Sequence, residues 1–547
     1  MRAIHYLLIT GFAACLFSCT KYEEYPVERI TGDFIFDSLD KQGVYATRFV
    51  NDLYSYLPTG FNRISNSILD AATDDAIASE YGNQIERLSK SQLNADNNPD
   101  GRWATCYTAI RKANQFLANI DIVPQDAQTK TYWKGEVRFI RAMNYFELLK
   151  RYGGVPLLAE RYYSLADKID VSRNSFAEVA DYIVSECDAI LPLLRTDPVT
   201  ATELGRVTRA GALSLKSRTL LYAASPLNNP ANDPARWQLA SDAAKAVMDL
   251  NKYSLAPSFV NHFTNRSSVE FILGYQTPVN TDLERQNAPV GYVTPNVSQG
   301  YISPTQDLVD AFPMANGKPI RDAGSGYNAA NPYNSRDPRL AGTVFYNGMQ
   351  WLNRAVENFQ GGLDNPASSV RVARQTRTGY YMRKFLGSFA SSAEYSNQSH
   401  VFPIFRYTET LLNYAEAQNE LNVQTTAYTQ LKALRARAGI TAGTDGLYGL
   451  KANMTQEEMR AAIHLERRLE LAFEEHRYWD LRRWKTAEQV LNKDLTGMMI
   501  VKNSDNTLSY STHTVDYVSF LPKQYLYPIP INEVTGSQGK IAQNSGW

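Results

Sequence analysis

Residues 463–485, IHLERRLELAFEEHRYWDLRRWK, constrain this chain more than any other stretch. Five carboxylates and five arginines stand there among Phe473, Tyr478, Trp479 and Trp484. At 3.6 residues per turn, Leu465, Leu469, Ala472, Phe473, His476 and Trp479 share one helical face. Leu471, Tyr478, Leu481 and Trp484 fall on the others, so the helix must be covered on more than one side. Charges carried inward with it need partners, and Glu474 reaches Arg477 or Tyr478 at helical spacing. Thr455 and Glu458 form a capping box that starts the helix near Gln456, and the pattern predicts one helix over 456–485. A catalytic cluster of Glu474, Glu475, His476 and Arg477 would explain four residues. A polar clamp holding a buried helix explains the whole stretch, and is the reading adopted.

The chain has 547 residues, 44% hydrophobic and 20% charged, with no net charge. That is material for a large core, and the absence of a basic excess argues against nucleic acid as a partner. Tyrosine stands out, with 34 copies against 6 histidines. Its flat apolar face and hydroxyl suit sugar or peptide surfaces as well as core packing. At the start, Arg2 precedes an apolar run over 4–17 that is too short to span a bilayer. It ends in Leu16-Phe17-Ser18-Cys19, which resembles a bacterial lipobox. Residues 1–18 therefore read as a lipoprotein signal peptide, Cys19 as the lipidated residue, and several acyl chains there would anchor the protein stably. Cys106 and Cys187 lie in amphipathic helical patterns without a CxxC spacing and read as buried thiols; a disulfide between them is left open.

Residues 19–40 read as a tether. Helices are predicted over 34–58, 103–120, 132–151, 176–194, 209–224 and 236–250, with Ser175 and Glu178 capping the fourth. The composition changes over 253–401, where a strand-like run at 269–275 leads into loops rich in Pro, Gly, Asn and Tyr. Helices resume at 404–421 and 427–438. Two helical blocks, about 41–252 and 402–485, thus flank a loop-rich insert, and 41–547 reads as one interwoven unit. Long loops inside a compact protein usually carry function.

Several segments, in order, resemble those of the SusD/RagB-like outer-membrane lipoproteins of Bacteroidetes. They are 139–156 ending RYGGVP, PTQDLVDAFPMANGKPI at 304–320, RDPRL at 336–340, Thr378-Gly379-Tyr380 with Lys384, RYTETLLNYAEA at 406–417, LRARAGI at 434–440 and the 466–484 run itself. The acidic Glu23-Glu24 after Cys19 resembles the tag that sends such lipoproteins to the cell surface. The resemblance implies a mainly α-helical fold, with four tetratricopeptide-like helix pairs as scaffold and a loop-rich insert carrying short strands. It implies a surface lipoprotein of the outer membrane that binds oligosaccharides, or peptides in some members, and delivers them to a TonB-dependent SusC-like transporter. No cofactor is implied. The rival readings are a tetratricopeptide scaffold without a small ligand and a surface glycosidase.

No G-x-S-x-G, H-E-x-x-H or G-x-x-x-x-G-K-[ST] occurs. His464 and His476, twelve positions apart, would stand about 18 Å apart along a helix and cannot share a metal. Gly324-Ser325-Gly326 reads as a turn. Oligosaccharides are held by aromatic faces and by Asn, Asp, Arg and Gln side chains bonding hydroxyls. Loops at 80–102 and 275–351 supply both, and Tyr81, Arg87, Tyr275, Tyr292, Tyr301 and Trp351 are the candidate ligand-binding residues. A tyrosine on a loop lacks a helix to cover it, so these are expected to be exposed. Trp103 reads as core.

Overall fold

The computed structural model describes residues 35–163, 167–366, 375–389 and 392–547. The signal peptide, Cys19 and most of the tether lie outside them. Six longer helices open the described chain: α1 Val44–Tyr54, α2 Trp103–Asn119, α3 Ala127–Tyr152, α4 Phe176–Ile190, α5 Arg209–Ala224 and α6 Pro234–Asp249. Each from α2 onward packs on the next, and α6 packs across to α7 Tyr407–Glu420, joining the two helical blocks. α8 Gln424–Ala438, α9 Gln456–Glu470 and α10 His476–Arg483 complete the longer helices, and the others are of six residues or fewer among the described residues. The longer strands are β1 Ala76–Ala78, β2 Phe271–Gln276, β3 Ile302–Pro304, β4 Val401–Arg406, β5 Lys493–Lys502 and β6 Leu508–Val518. They form antiparallel two-stranded ribbons, β1 with β3, β2 with β4 and β5 with β6. The fold is mainly α-helical. Among the described residues no helix is long and apolar enough to cross a membrane.

Both predicted capping boxes form, at Ser175 with Glu178 and at Thr455 with Glu458. The helix expected over 34–58 is confined to Val44–Tyr54, entered from Gly43 at φ 61°. That expected over 404–421 starts at Tyr407, because Val401–Arg406 pairs with β2 instead. A run of Val, Phe, Pro, Ile and Phe suits a buried strand better than a helical first turn. The β5–β6 hairpin was not anticipated, although both of its strands are rich in β-branched residues around Asn503-Ser504-Asp505-Asn506. Cys106 and Cys187 are buried free thiols. Trp103 is core, as expected.

The single helix expected over 456–485 is broken. Phe473 and Glu475 adopt φ of 64° and 63°, a left-handed turn between α9 and α10. Buried Asp70 holds that turn, its carboxylate accepting from the amides of Phe473 (3.0 Å) and Glu475 (3.3 Å). The break separates Glu474 from Arg477, which a straight helix would keep side by side. Glu474 turns to Lys384 (2.6 Å) and Arg406 (2.7 Å), while Arg477 bonds Asp74 (2.9 Å). Around them Arg339 joins Asp337, Glu466 and Glu470, Arg406 also joins Glu270 and Glu470, and Arg435 joins Glu466. Every one of these side chains except Arg477 is at most 5% exposed. The clamp therefore ties α9 and the turn after it to β4 and the insert and α10 to Asp74, while Arg467 with Asp480 joins α9 to α10.

Candidate functional site

β1 and β3 meet with Ala76 opposite Pro304 and Ala78 opposite Ile302, and the pairing runs on as the Ser79 amide donates to the Tyr301 carbonyl (2.9 Å). Beyond that point the two chains part, placing Tyr81 on one side and Tyr301 on the other. Gly300, at φ 56°, makes the separation: a Cβ there would lie 2.4 Å from the Tyr381 ring. Tyr81 is 68% exposed. Its ring lies 3.9 Å from the Arg377 guanidinium, a cation–π contact that fixes an otherwise free ring.

Arg377 is itself held. It donates to the carbonyls of Ala78 (3.2 Å) and Val515 (3.3 Å) and to the Asp516 carboxylate on β6 (2.8 Å), which Lys90 also engages. Burial would raise the Asp516 carboxyl, but Lys90 and Arg377 hold it below the usual carboxylate range. Charge at the platform is thereby balanced. Around Tyr81, the Asn83 amide donates to the Ser65 carbonyl (2.8 Å) and Asn62 donates to the Asn66 carbonyl (2.7 Å). The first bond brings exposed Ser65 against the 80–87 loop, and the second closes the turn in which exposed Asn66 follows it. Arg87, in the short helix Glu86–Ser89, donates from Nε to Gln84 (3.0 Å). Among the described residues its terminal nitrogens form no other hydrogen bond. The result is an open surface with one fixed aromatic face and a rim of amides, hydroxyls and a guanidinium.

Of the six candidate residues, Tyr81, Arg87 and Tyr301 stand on the segments that leave this end of the ribbon. Tyr301 is half-buried, its ring packed at the edge of the main core. Tyr275 lies apart, half-buried on β2 opposite Phe402 and lining a cleft of about 450 Å³. Tyr292 and Trp351 correct the expectation that loop aromatics stay exposed. They are 5% and 2% exposed, with ring centroids 4.8 Å apart. The Tyr292 hydroxyl donates to the Trp351 carbonyl (3.0 Å), and the Trp351 indole donates to the Gly387 carbonyl (3.0 Å). With Phe345, Tyr381, Leu386 and Tyr395 they form a second, smaller core inside the insert. Loops can cover one another, and here they do. Arg377 was missed: it directly precedes the Thr378-Gly379-Tyr380 segment, but nothing there marks it as facing Tyr81, and its support comes from distant β1 and β6.

The sequence profile of the SusD family matches residues 270–547, and a second profile, described as starch-binding and associating with the outer membrane, matches 37–221. A SusD-like protein of Formosa agariphila is 24% identical over 457 residues, covering 81% of this chain and 80% of its own. A SusD-like protein of Bacteroides fragilis superposes with a TM-score of 0.78 at 26% identity, over 93% of this chain and 98% of that one. A laminarin-binding SusD-like protein superposes with a TM-score of 0.64 at 20% identity, over 93% and 100%. With a family profile spanning the insert and the whole second helical block, and the same architecture in solved relatives, this chain belongs to the SusD family.

Proposed function

We propose that this protein is a lipid-anchored outer-membrane receptor. It captures oligosaccharide at the open end of the β1–β3 ribbon and passes it to a TonB-dependent SusC-like transporter. The observation that carries this reading is Tyr81, a ring 68% exposed yet fixed over Arg377. A sugar presents an apolar face to such a ring and hydroxyls to the amides and guanidinium around it, here Asn66, Asn83 and Arg87. Fixing the ring beforehand lowers the conformational cost of binding. The ligand class is supported by the starch-binding description of the profile over 37–221 and by the structural neighbour that binds laminarin. Anchoring would come from acylated Cys19, with the tether over 19–40 allowing the receptor to sit over its transporter. Capture and release at equilibrium require no turnover and no cofactor.

The reading is tested by native gels cast with starch, laminarin or no polysaccharide. Wild type should be retarded by at least one of these glucans, and Tyr81→Ala should run as in the plain gel. Unretarded migration in every polysaccharide tried, together with capture of members of an oligopeptide library, would replace sugar by peptide as the ligand.

A further inference from the structure

A second recess lies well away in sequence from Tyr81, where the loop over 197–208 arches across the edge of β2 that β4 leaves open. Among the described residues β2 pairs on one side only. Two lobes of about 450 and 360 Å³ lie along it, sharing Leu204, Gly205, Arg206, Arg266, Gly274 and Gln276. They adjoin along this shared wall and are described together as the cleft, with Tyr275 in the first lobe and Lys252 in the second.

The arch is pinned at both ends. On one side the Tyr253 hydroxyl donates to Asp197 (2.6 Å). On the other, fully buried Glu136 accepts from Arg206 (2.9 Å) and the Tyr54 hydroxyl (2.8 Å) and pairs with Arg195. Arg206 also donates to Asn51 (2.6 Å), and the Val207 amide donates to the Tyr54 hydroxyl (3.0 Å). Between the pins, Gly205 at φ 90° has open space where a side chain would stand. A loop tied in this way keeps the cleft open without a ligand.

The charges of the cleft are unevenly answered. Glu203, its rim carboxylate, is taken by Arg195 (2.6 Å). Arg206 is spent on Glu136 and Asn51. Arg266 and Lys252 are different: both are exposed, and among the described residues neither pairs with a carboxylate. Arg266 makes one hydrogen bond, from Nε to the neutral Gln276 amide (2.6 Å), which orients the guanidinium and leaves its two terminal nitrogens free. Beside it Tyr275 offers a half-buried ring in the first lobe.

We propose that this cleft is a second saccharide site, selective for oligosaccharides that carry carboxylate or sulfate groups. A guanidinium held by one side nitrogen presents its remaining donors to a planar or tetrahedral oxyanion. An ammonium across the cleft adds attraction that neutral sugars do not gain. Tyr275 supplies the apolar face. The choice of saccharide as ligand class rests on the function proposed above; the site and its charge preference do not.

The test is calorimetric titration of the full chain with a galacturonic acid tetramer, a sulfated dextran oligosaccharide, neutral cellotetraose and an acidic decapeptide. The proteins compared are wild type, the Lys252→Gln/Arg266→Gln double variant and Tyr81→Ala. Both substituted cations are exposed, so the double variant should melt as wild type does, and Arg266→Lys serves as a milder second variant. At least one anionic saccharide should bind wild type. Its affinity should fall at least tenfold in the double variant, fall with added salt, and stay unchanged in Tyr81→Ala. Binding of the uronate alone or of the sulfated sugar alone supports the inference and names the group. Anionic binding that survives in the double variant, cellotetraose binding equally well in the cleft, or the decapeptide displacing every saccharide from it would overturn the inference. Anionic sugar lost only in Tyr81→Ala overturns it while leaving the carbohydrate reading intact. If no saccharide binds, starch and laminarin included, both fall.

Discussion

In the 466–484 run most charged side chains are buried and taken up by buried partners, many from elsewhere in the chain; at the open end of β1–β3 Arg87 keeps bonding capacity to spare. Arg406 illustrates the first region. It is 1% exposed and divides its guanidinium among Glu270, Glu470 and Glu474. Burial would raise the Glu270 carboxyl, yet Arg406 and Arg437 hold it down at about 2. Tyr81 and Arg87 illustrate the second, with one ring fixed and two guanidinium nitrogens unclaimed. The segment that most plainly marks the family thus builds the frame, and the residues suited to a ligand stand on loops that the frame positions. Density of charge in sequence is a guide to architecture here, not to chemistry.

The largest effect expected from breaking this contrast is in the clamp. Arg406→Ala leaves three buried carboxylates without their common partner and should cost about 3–5 kcal/mol, read as a lower urea midpoint. Glucan retardation of the surviving folded fraction should match wild type. A variant of unchanged midpoint that no longer binds would assign the clamp to the site. The same network predicts acid lability. Glu270 and Glu416, both held at about 2 by flanking arginines against burial, contribute stability that is present above about pH 4.5 and lost as pH falls toward 2.

Trp351→Ala comes next, at about 3 kcal/mol from the lost indole volume, and Tyr292→Phe should cost only about 1 kcal/mol from one hydrogen bond. Both should leave ligand affinity alone. If either abolishes binding at wild-type stability, the small core of the insert is a site after all.

Asp70 sharpens the comparison by pH. Burial, then Asp75 and Glu475, pushes its carboxyl up to about 8, against the two amides that favour its charge. A raised folded value means that its stabilising contribution is complete below about pH 4 and is lost as pH rises through 8. Asp70→Asn should therefore gain on wild type, by on the order of 4 kcal/mol, between pH 5 and pH 8.5 in parallel denaturant titrations. A constant difference across that range would show that Asp70 is not protonated in the fold.

Much of the frame was legible from residues alone. Thr455 with Glu458, Ser175 with Glu178 and the apolar spacing of 209–224 give helix starts and extents that the structure reproduces closely. The break at Phe473 and Glu475 was not legible, because what stabilises two left-handed residues is Asp70, about 400 positions away. The strand Val401–Arg406 was overlooked because its end runs straight into the helical pattern of 407–420, although its own composition favours a strand and β2 pairs with it. At the proposed site, type and loop context mark Tyr81 and Arg87 as candidates, although Arg87 stands in a short helix. Tyr292 and Trp351 could not be excluded on the same grounds, since burial of a loop aromatic depends on which other loops fold over it. Arg377 adjoins the Thr378-Gly379-Tyr380 segment, which signals the family's frame and not a contact with Tyr81.

Tyr81→Ala tests the central claim most directly, because it removes one exposed ring and nothing that holds the frame. Measured side by side, its thermal unfolding should stay within about 0.5 kcal/mol of wild type, while titration with the retarding glucan should show affinity reduced at least tenfold. Wild-type affinity in a Tyr81→Ala protein of wild-type stability would contradict the account and move the binding surface away from the β1–β3 ribbon.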